Sequence, residues 1–187
     1  MAVEIAAGMI SGARRCLSPN CDDRPETPVD MVVVHNISLP PGEFGGPYIE
    51  ALFTNKLCAD EHEYFAGIAD LRVSAHLLIR RDGEIVQFVP FDRRAWHAGA
   101  SQFCGREACN DFSIGIELEG TDHLPYEEIQ YQRLAAVVVA LIKAYPGIDA
   151  SRIVGHADIA PDRKTDPGPA FDWSHFLGTL ESLQTNA

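Results

Sequence analysis

The chain has 187 residues, with 46% hydrophobic and 22% charged side chains, which suits one globular domain with a core of its own. Its formal net charge is −12, so nucleic acid, anionic membrane surfaces and anionic cell-wall polymers would each be approached against a repulsive field. A small soluble substrate, met locally by a few arginines, fits that balance better.

The first twenty residues do not read as a secretory leader: a basic start is missing, Glu4 interrupts the apolar stretch, and Arg14 and Arg15 follow soon after. The longest central apolar run, Leu134–Ile142, falls well short of the ~20 residues a membrane helix needs. Five cysteines, Cys16, Cys21, Cys58, Cys104 and Cys109, form an odd set without a CxxC pair, as expected of free thiols in a reducing, cytoplasmic setting. Their two CxxxxC spacings leave a second metal site as the alternative.

Residues 1–27 read as an N-terminal arm draped over the domain, ending near Pro25 and Pro28, with a short edge strand near Glu4 as the alternative. Met31–His35 is a buried strand, followed by a Pro/Gly loop over 36–47 and a short helix over about 47–57, with Pro47 in its first turn. The stretch 58–71 is mixed. Ser74–Val89 predicts a hairpin, because two apolar runs flank Asp82-Gly83, a type I′ turn signal. Residues 90–111 read as a long functional loop. Phe112–Glu119 is a strand carrying Phe112, Ile114, Ile116 and Leu118 on one face and Ser113, Gly115, Glu117 and Glu119 on the other. An amphipathic helix over Tyr126–Tyr145 stops at Pro146-Gly147, and a short strand Arg152–His156 and a closing helix Trp173–Leu183 complete the domain. This order predicts an α/β (α+β) domain: a mixed central sheet with helices packed on its faces, and His35, Glu117 and His156 at or near strand ends.

His35 ends its apolar strand, and His156 and Asp166 bracket a nine-residue segment, ADIAPDRKT, able to fold a carboxylate back beside an imidazole. A His/His/carboxylate set leaves one position of a tetrahedral zinc open, which marks catalytic sites. Taken singly, His35 also reads as a hydrogen-bonded core residue and Asp166 as a turn residue. With Glu117 on the polar face of its strand and Lys164 two residues before Asp166, the set points to metal-assisted amide hydrolysis. Glu117 suits proton transfer and Lys164 suits oxyanion stabilisation, against the alternatives of a surface carboxylate and a solvated loop lysine. His76 reads as a core histidine or a partner to a ligand.

The runs MVVVHN, SAHLLIRRDGEIVQFVPFDRRAWHAG, CNDFSIGIELEG and VGHADIAPDRKTDPGPAFDW resemble the cytosolic N-acetylmuramoyl-L-alanine amidases of the AmpD type, across about residues 28–180. That group extends to phage lysozyme-like amidases and animal peptidoglycan-recognition proteins. The resemblance implies an amidase domain over residues 28–187 holding one zinc through His35, His156 and Asp166. It implies hydrolysis of the amide between the lactyl group of 1,6-anhydro-N-acetylmuramic acid and L-alanine, a cytosolic recycling step that in some bacteria keeps β-lactamase inducers low. Aspartate, not cysteine, at position 166 favours the bacterial branch. Tyr64 matches a tyrosine near the metal, as a donor or a packing residue, and Asn36, Arg72, Trp96, His97 and Arg106 match positions that hold sugar and peptide. Trp96 would stack on the substrate, Arg72 and Arg106 would pair with stem-peptide carboxylates, and Ala157 would present its backbone. The competing readings are a non-catalytic muropeptide-binding module and an amidase acting on intact peptidoglycan. A general zinc peptidase is weaker, because HExxH is absent.

Overall fold

The computed structural model describes residues 3–185, so the first two residues of the N-terminal arm lie outside it. In chain order, β1 (Ile5–Ala6) and β2 (Met9–Ile10) form a hairpin, followed by β3 (Arg14–Arg15), β4 (Cys21–Asp23) and β5 (Met31–Ile37). Helix α1 (Tyr48–Phe53) and two single 3-10 turns lead to β6 (Leu77–Ile79) and β7 (Ile85–Gln87). Three short strands, β8 (Arg93–Ala95), β9 (Gln102–Phe103) and β10 (Arg106–Glu107), precede β11 (Ser113–Glu119). The long α2 (Glu128–Ala144), β12 (Ile153–Gly155), one-turn α3 (His156–Ile159) and α4 (Trp173–Thr185) complete the chain.

Six strands form a mixed sheet in the order β12-β5-β11-β6-β7-β3, antiparallel only between β6 and β7. Strands β5 and β11 are buried along nearly their whole length, as central parallel strands are, and their apolar residues divide by parity between two layers. Val32, Val34, Ile114, Ile116, Leu118, Leu77 and Ile79 face α2 and α4, packing on Leu134, Val137, Val138, Leu141, Phe176 and Leu180. The opposite face packs in two groups, one around α1 with Leu52, Phe53, Leu78, Val86 and Phe88, the other around Met31, Val33, Ala98, Phe112 and Ile159. Among the described residues, no helix is long and apolar enough to cross a membrane.

Three local expectations change. The hairpin between β6 and β7 is not closed by a type I′ turn: Gly83 N–H donates to Arg80 O and Arg80 N–H to Glu84 O, and of Asp82 and Gly83 only the glycine has positive φ, +84°. That is a three-residue loop ending in a bulge glycine. A side chain on Gly83 would also meet Ile129, at 2.5 Å from its Cβ. The 90–111 segment is not simply a loop but carries β8 to β10. The N-terminal segment is stitched in, not draped: β3 is an edge of the main sheet and β4 pairs with β8. Arg24 donates to the carbonyls of Phe91, Asn110 and Ser113, behind the site described next.

Candidate metal centre and active site

Sheet register brings the site together. On β5 and β11, His35 is the direct neighbour of Glu117, and Val34 pairs with Gly155, so His156 comes next to His35 as the chain leaves β12. The loop after α3 returns Asp166, whose carbonyl accepts from Ala157 N–H at 3.0 Å, and this fixes the carboxylate beside the two imidazoles. His35 Nδ1, His156 Nδ1 and Asp166 Oδ2 then stand 3.0 Å apart in all three pairs. A tetrahedral zinc with bonds of 2.0–2.1 Å separates its ligands by about 3.3 Å, so this triangle is close to the size required.

Protonation agrees with that geometry. His156 Nε2 lies 3.1 Å from Ala98 O, and a carbonyl only accepts, so Nε2 carries a hydrogen and Nδ1 is the nitrogen available as a ligand. Burial lowers the His35 pKa to about 4, despite the neighbouring Asp166 carboxylate, which opposes it. Burial alone would raise the Asp166 carboxyl, but the His156 and His35 rings, 3.0 Å away, hold it well below the usual carboxylate range. A divalent cation needs neutral imidazoles and an ionised carboxylate, and the directions for His35 and Asp166 favour those states.

Glu117 is 8% exposed, and its Oε2 has no hydrogen-bond partner among the described residues. Burial, then repulsion from Asp166, pushes its pKa well above 4.5, with Lys164 acting in the opposite sense. A buried, unpaired carboxyl with a raised pKa, in the same cavity as that triangle, is costly to structure and suited to moving protons. His35, His156, Asp166, Glu117, Lys164, Tyr64, Asn36, Trp96 and His97 all line one cavity of about 360 Å³, walled also by Leu39, Ile68, Leu71 and Val73. A larger hollow of about 720 Å³ lies by Arg14, Glu50, Arg80, Glu84 and Glu119. Its charges are already paired with one another, so it offers less free chemistry.

Several sequence-matched substrate residues sit differently from expectation. Asn36 lines the cavity, yet its amide donates to Asp122 Oδ1 and Pro167 O, bracing the loop that carries Asp166. Arg72 is exposed and donates to the carbonyls of Asp70 and Leu71, outside the cavity wall. Arg106 pairs with Asp30 at 2.6 Å and stacks 3.6 Å over Phe112. Those two residues immediately precede β5 and β11, so Arg106 lies at the strand ends opposite His35 and Glu117. The Ala157 N–H is spent on Asp166 O. His97 contacts His35 directly, which the sequence did not indicate, and His76 is fully buried behind it.

The family model of N-acetylmuramoyl-L-alanine amidases matches residues 25–169, and so most of the chain. The 1,6-anhydro-N-acetylmuramyl-L-alanine amidase AmpD of Escherichia coli (strain K12) is 69% identical over 171 residues, covering 90% of this chain and 92% of that protein. The crystal structure of a selenomethionine AmpD derivative superposes with a TM-score of 0.92 at 63% identity, covering 94% of this chain and 98% of that one. A complex of the E. coli amidase AmiD with anhydro-N-acetylmuramic acid-L-Ala-D-gamma-Glu-L-Lys aligns at 29% identity and a TM-score of 0.57, covering 95% of this chain and 65% of that one. The chain therefore belongs to the N-acetylmuramoyl-L-alanine amidase family, and within it to the AmpD type.

Proposed function

We propose that this amidase holds one zinc through His35, His156 and Asp166 and hydrolyses the amide between the lactyl group of 1,6-anhydro-N-acetylmuramic acid and L-alanine of the stem peptide. The observation that carries the reading is the equilateral 3.0 Å triangle of ligand atoms with the unpartnered Glu117 carboxyl in the same cavity. Zinc bound there supplies a Lewis acid and lowers the pKa of water toward ~7. Glu117 Oε2 takes the proton from the attacking water and returns it to the alanine nitrogen as the amide breaks, and its raised pKa suits both transfers. The Lys164 ammonium, on the cavity wall, balances the negative charge growing on the carbonyl oxygen. Trp96 offers a face for the sugar or the peptide, and Tyr64, 47% exposed at the rim, a hydroxyl for the scissile carbonyl. The acidic chain and its free cysteines suit a cytoplasmic enzyme recycling small soluble muropeptides, through which it lowers the supply of β-lactamase inducers.

Mass spectrometry of zinc-loaded protein mixed with an anhydromuropeptide, and separately with its reducing-sugar counterpart, tests this. Free stem peptide from the first, little from the second, and none after chelation is the expected pattern. Equal release from both would make it a broader amidase. Release from neither would leave a binding module.

A further inference from the structure

His97 stands at the junction of a hydrogen-bond chain whose direction can be worked out from its far end. Ser113 Oγ donates to Cys109 O at 2.6 Å, and a carbonyl cannot return a proton, so the hydroxyl hydrogen is spent there. Ser113 therefore faces His97 Nε2, 3.2 Å away, as an acceptor, and His97 must carry its hydrogen on that nitrogen. In a neutral ring the other nitrogen, Nδ1, then accepts. Its partner at 2.9 Å is His35 Nε2, which must donate. With the hydrogen of His35 on Nε2, the lone pair of Nδ1 is left facing His156 and Asp166.

The ring is held tightly in that place. A Cβ at Gly115 would come within 2.4 Å of His97 Cγ, so only glycine leaves room for it. Gly115 N–H donates to His76 Nδ1 at 3.0 Å, and His76 packs edge-on against His97. Asn110 Oδ1 accepts the backbone N–H groups of both His97 and Ala98, at 3.1 and 2.8 Å. Ala98 O is also the acceptor for His156 Nε2, so one short segment orients both imidazoles of the metal triangle.

We propose that His97 is a positioning residue, which with Ser113 locks His35 in the Nε2–H tautomer and leaves Nδ1 free for the metal, and that it is not a substrate contact. This rests on the zinc reading above and adds to it the residue that makes His35 a ligand.

The test is zinc affinity of the folded full-length protein, read by competition with a chromophoric chelator. His97→Phe keeps a ring but removes the acceptor, and should weaken zinc binding by about 10- to 100-fold, the range seen when such outer partners are lost. His97→Asn places a carbonyl oxygen near the Nδ1 position and should recover affinity to within about tenfold of wild type. Ser113→Ala, one bond further away, should cause a smaller loss and keeps the question decidable if His97→Phe does not fold. Wild-type affinity in either His97→Phe or Ser113→Ala overturns the assignment, as does a His97→Asn protein as weak as His97→Phe. A wild-type protein that binds no zinc overturns the metal reading itself, a separate result.

Discussion

Glu117 carries an unmet physical cost in the site: a carboxyl 8% exposed, its Oε2 unpartnered among the described residues, its pKa pushed upward by burial. Its folded-state pKa lies above the ordinary 4.5, so the unfolded chain ionises first as pH rises, and the native state loses stability from about pH 4.5 upward. Glu117→Gln removes the titration. In metal-free protein at pH 7 the variant should melt a few degrees above wild type, at about 2–4 °C per kcal/mol, and the difference should vanish below pH 4.5. The same variant should keep its zinc and lose about 10²- to 10⁴-fold in turnover. Near-normal turnover with zinc bound would remove the proton-transfer role. At this scale the sequence shows its chemistry unevenly. His35, His156 and Asp166 stand out because a strand end and a nine-residue return segment bring their types together. The link of His97 to His35 and Ser113 does not, because it exists only once separate segments pack at 2.9–3.2 Å. Arg106 misleads for the converse reason: a charged side chain in a functional-looking stretch is consumed by Asp30 and the Phe112 ring.

At the level of elements, parallel pairing of β5 with β11 and of β12 with β5 puts His35, Glu117 and His156 side by side, so the catalytic edge is a product of register. Glu119, at the end of β11 and assigned no role from sequence, ties that edge to its surroundings. Its Oε1 accepts from Gly45 N–H at 2.7 Å and from Arg80 Nη1 at 3.1 Å, and its Oε2 accepts from Arg81 N–H at 3.2 Å. It joins the strand to the loop before α1 and to the turn after β6. Glu119→Ala takes the acceptor from two backbone N–H groups and one of three carboxylates from Arg80, and should lower unfolding free energy by about 1–3 kcal/mol in urea titrations. A loss under about 1 kcal/mol would contradict this tie. Periodicity was enough to find β5, β11, α2 and α4, which are long and carry clear faces. The two- and three-residue strands between 90 and 111 are too short to hold a pattern, and β3 is two exposed arginines whose pairing with β7 no local signal announces.

For the whole molecule, the mixed sheet serves as a rigid wall: α2 and α4 fill one face, and the other face carries the cavity with the His35, His156 and Asp166 triangle. The acidic surface suggested by a charge of −12 leaves room for local cations, and Lys164 supplies one beside Glu117. Fold class and amidase chemistry were legible from strand order and from long motifs. The N-terminal segment was not, since Arg24 and β4 are tied down by carbonyls and strands some seventy to ninety residues away in sequence. All of the chemistry argued above depends on whether one ion sits among His35, His156 and Asp166. Elemental analysis of purified wild-type protein beside Asp166→Ala measures that directly. Wild-type protein should carry one zinc per chain and the variant almost none. Wild-type protein without zinc, or a variant with its full complement, would contradict that assignment.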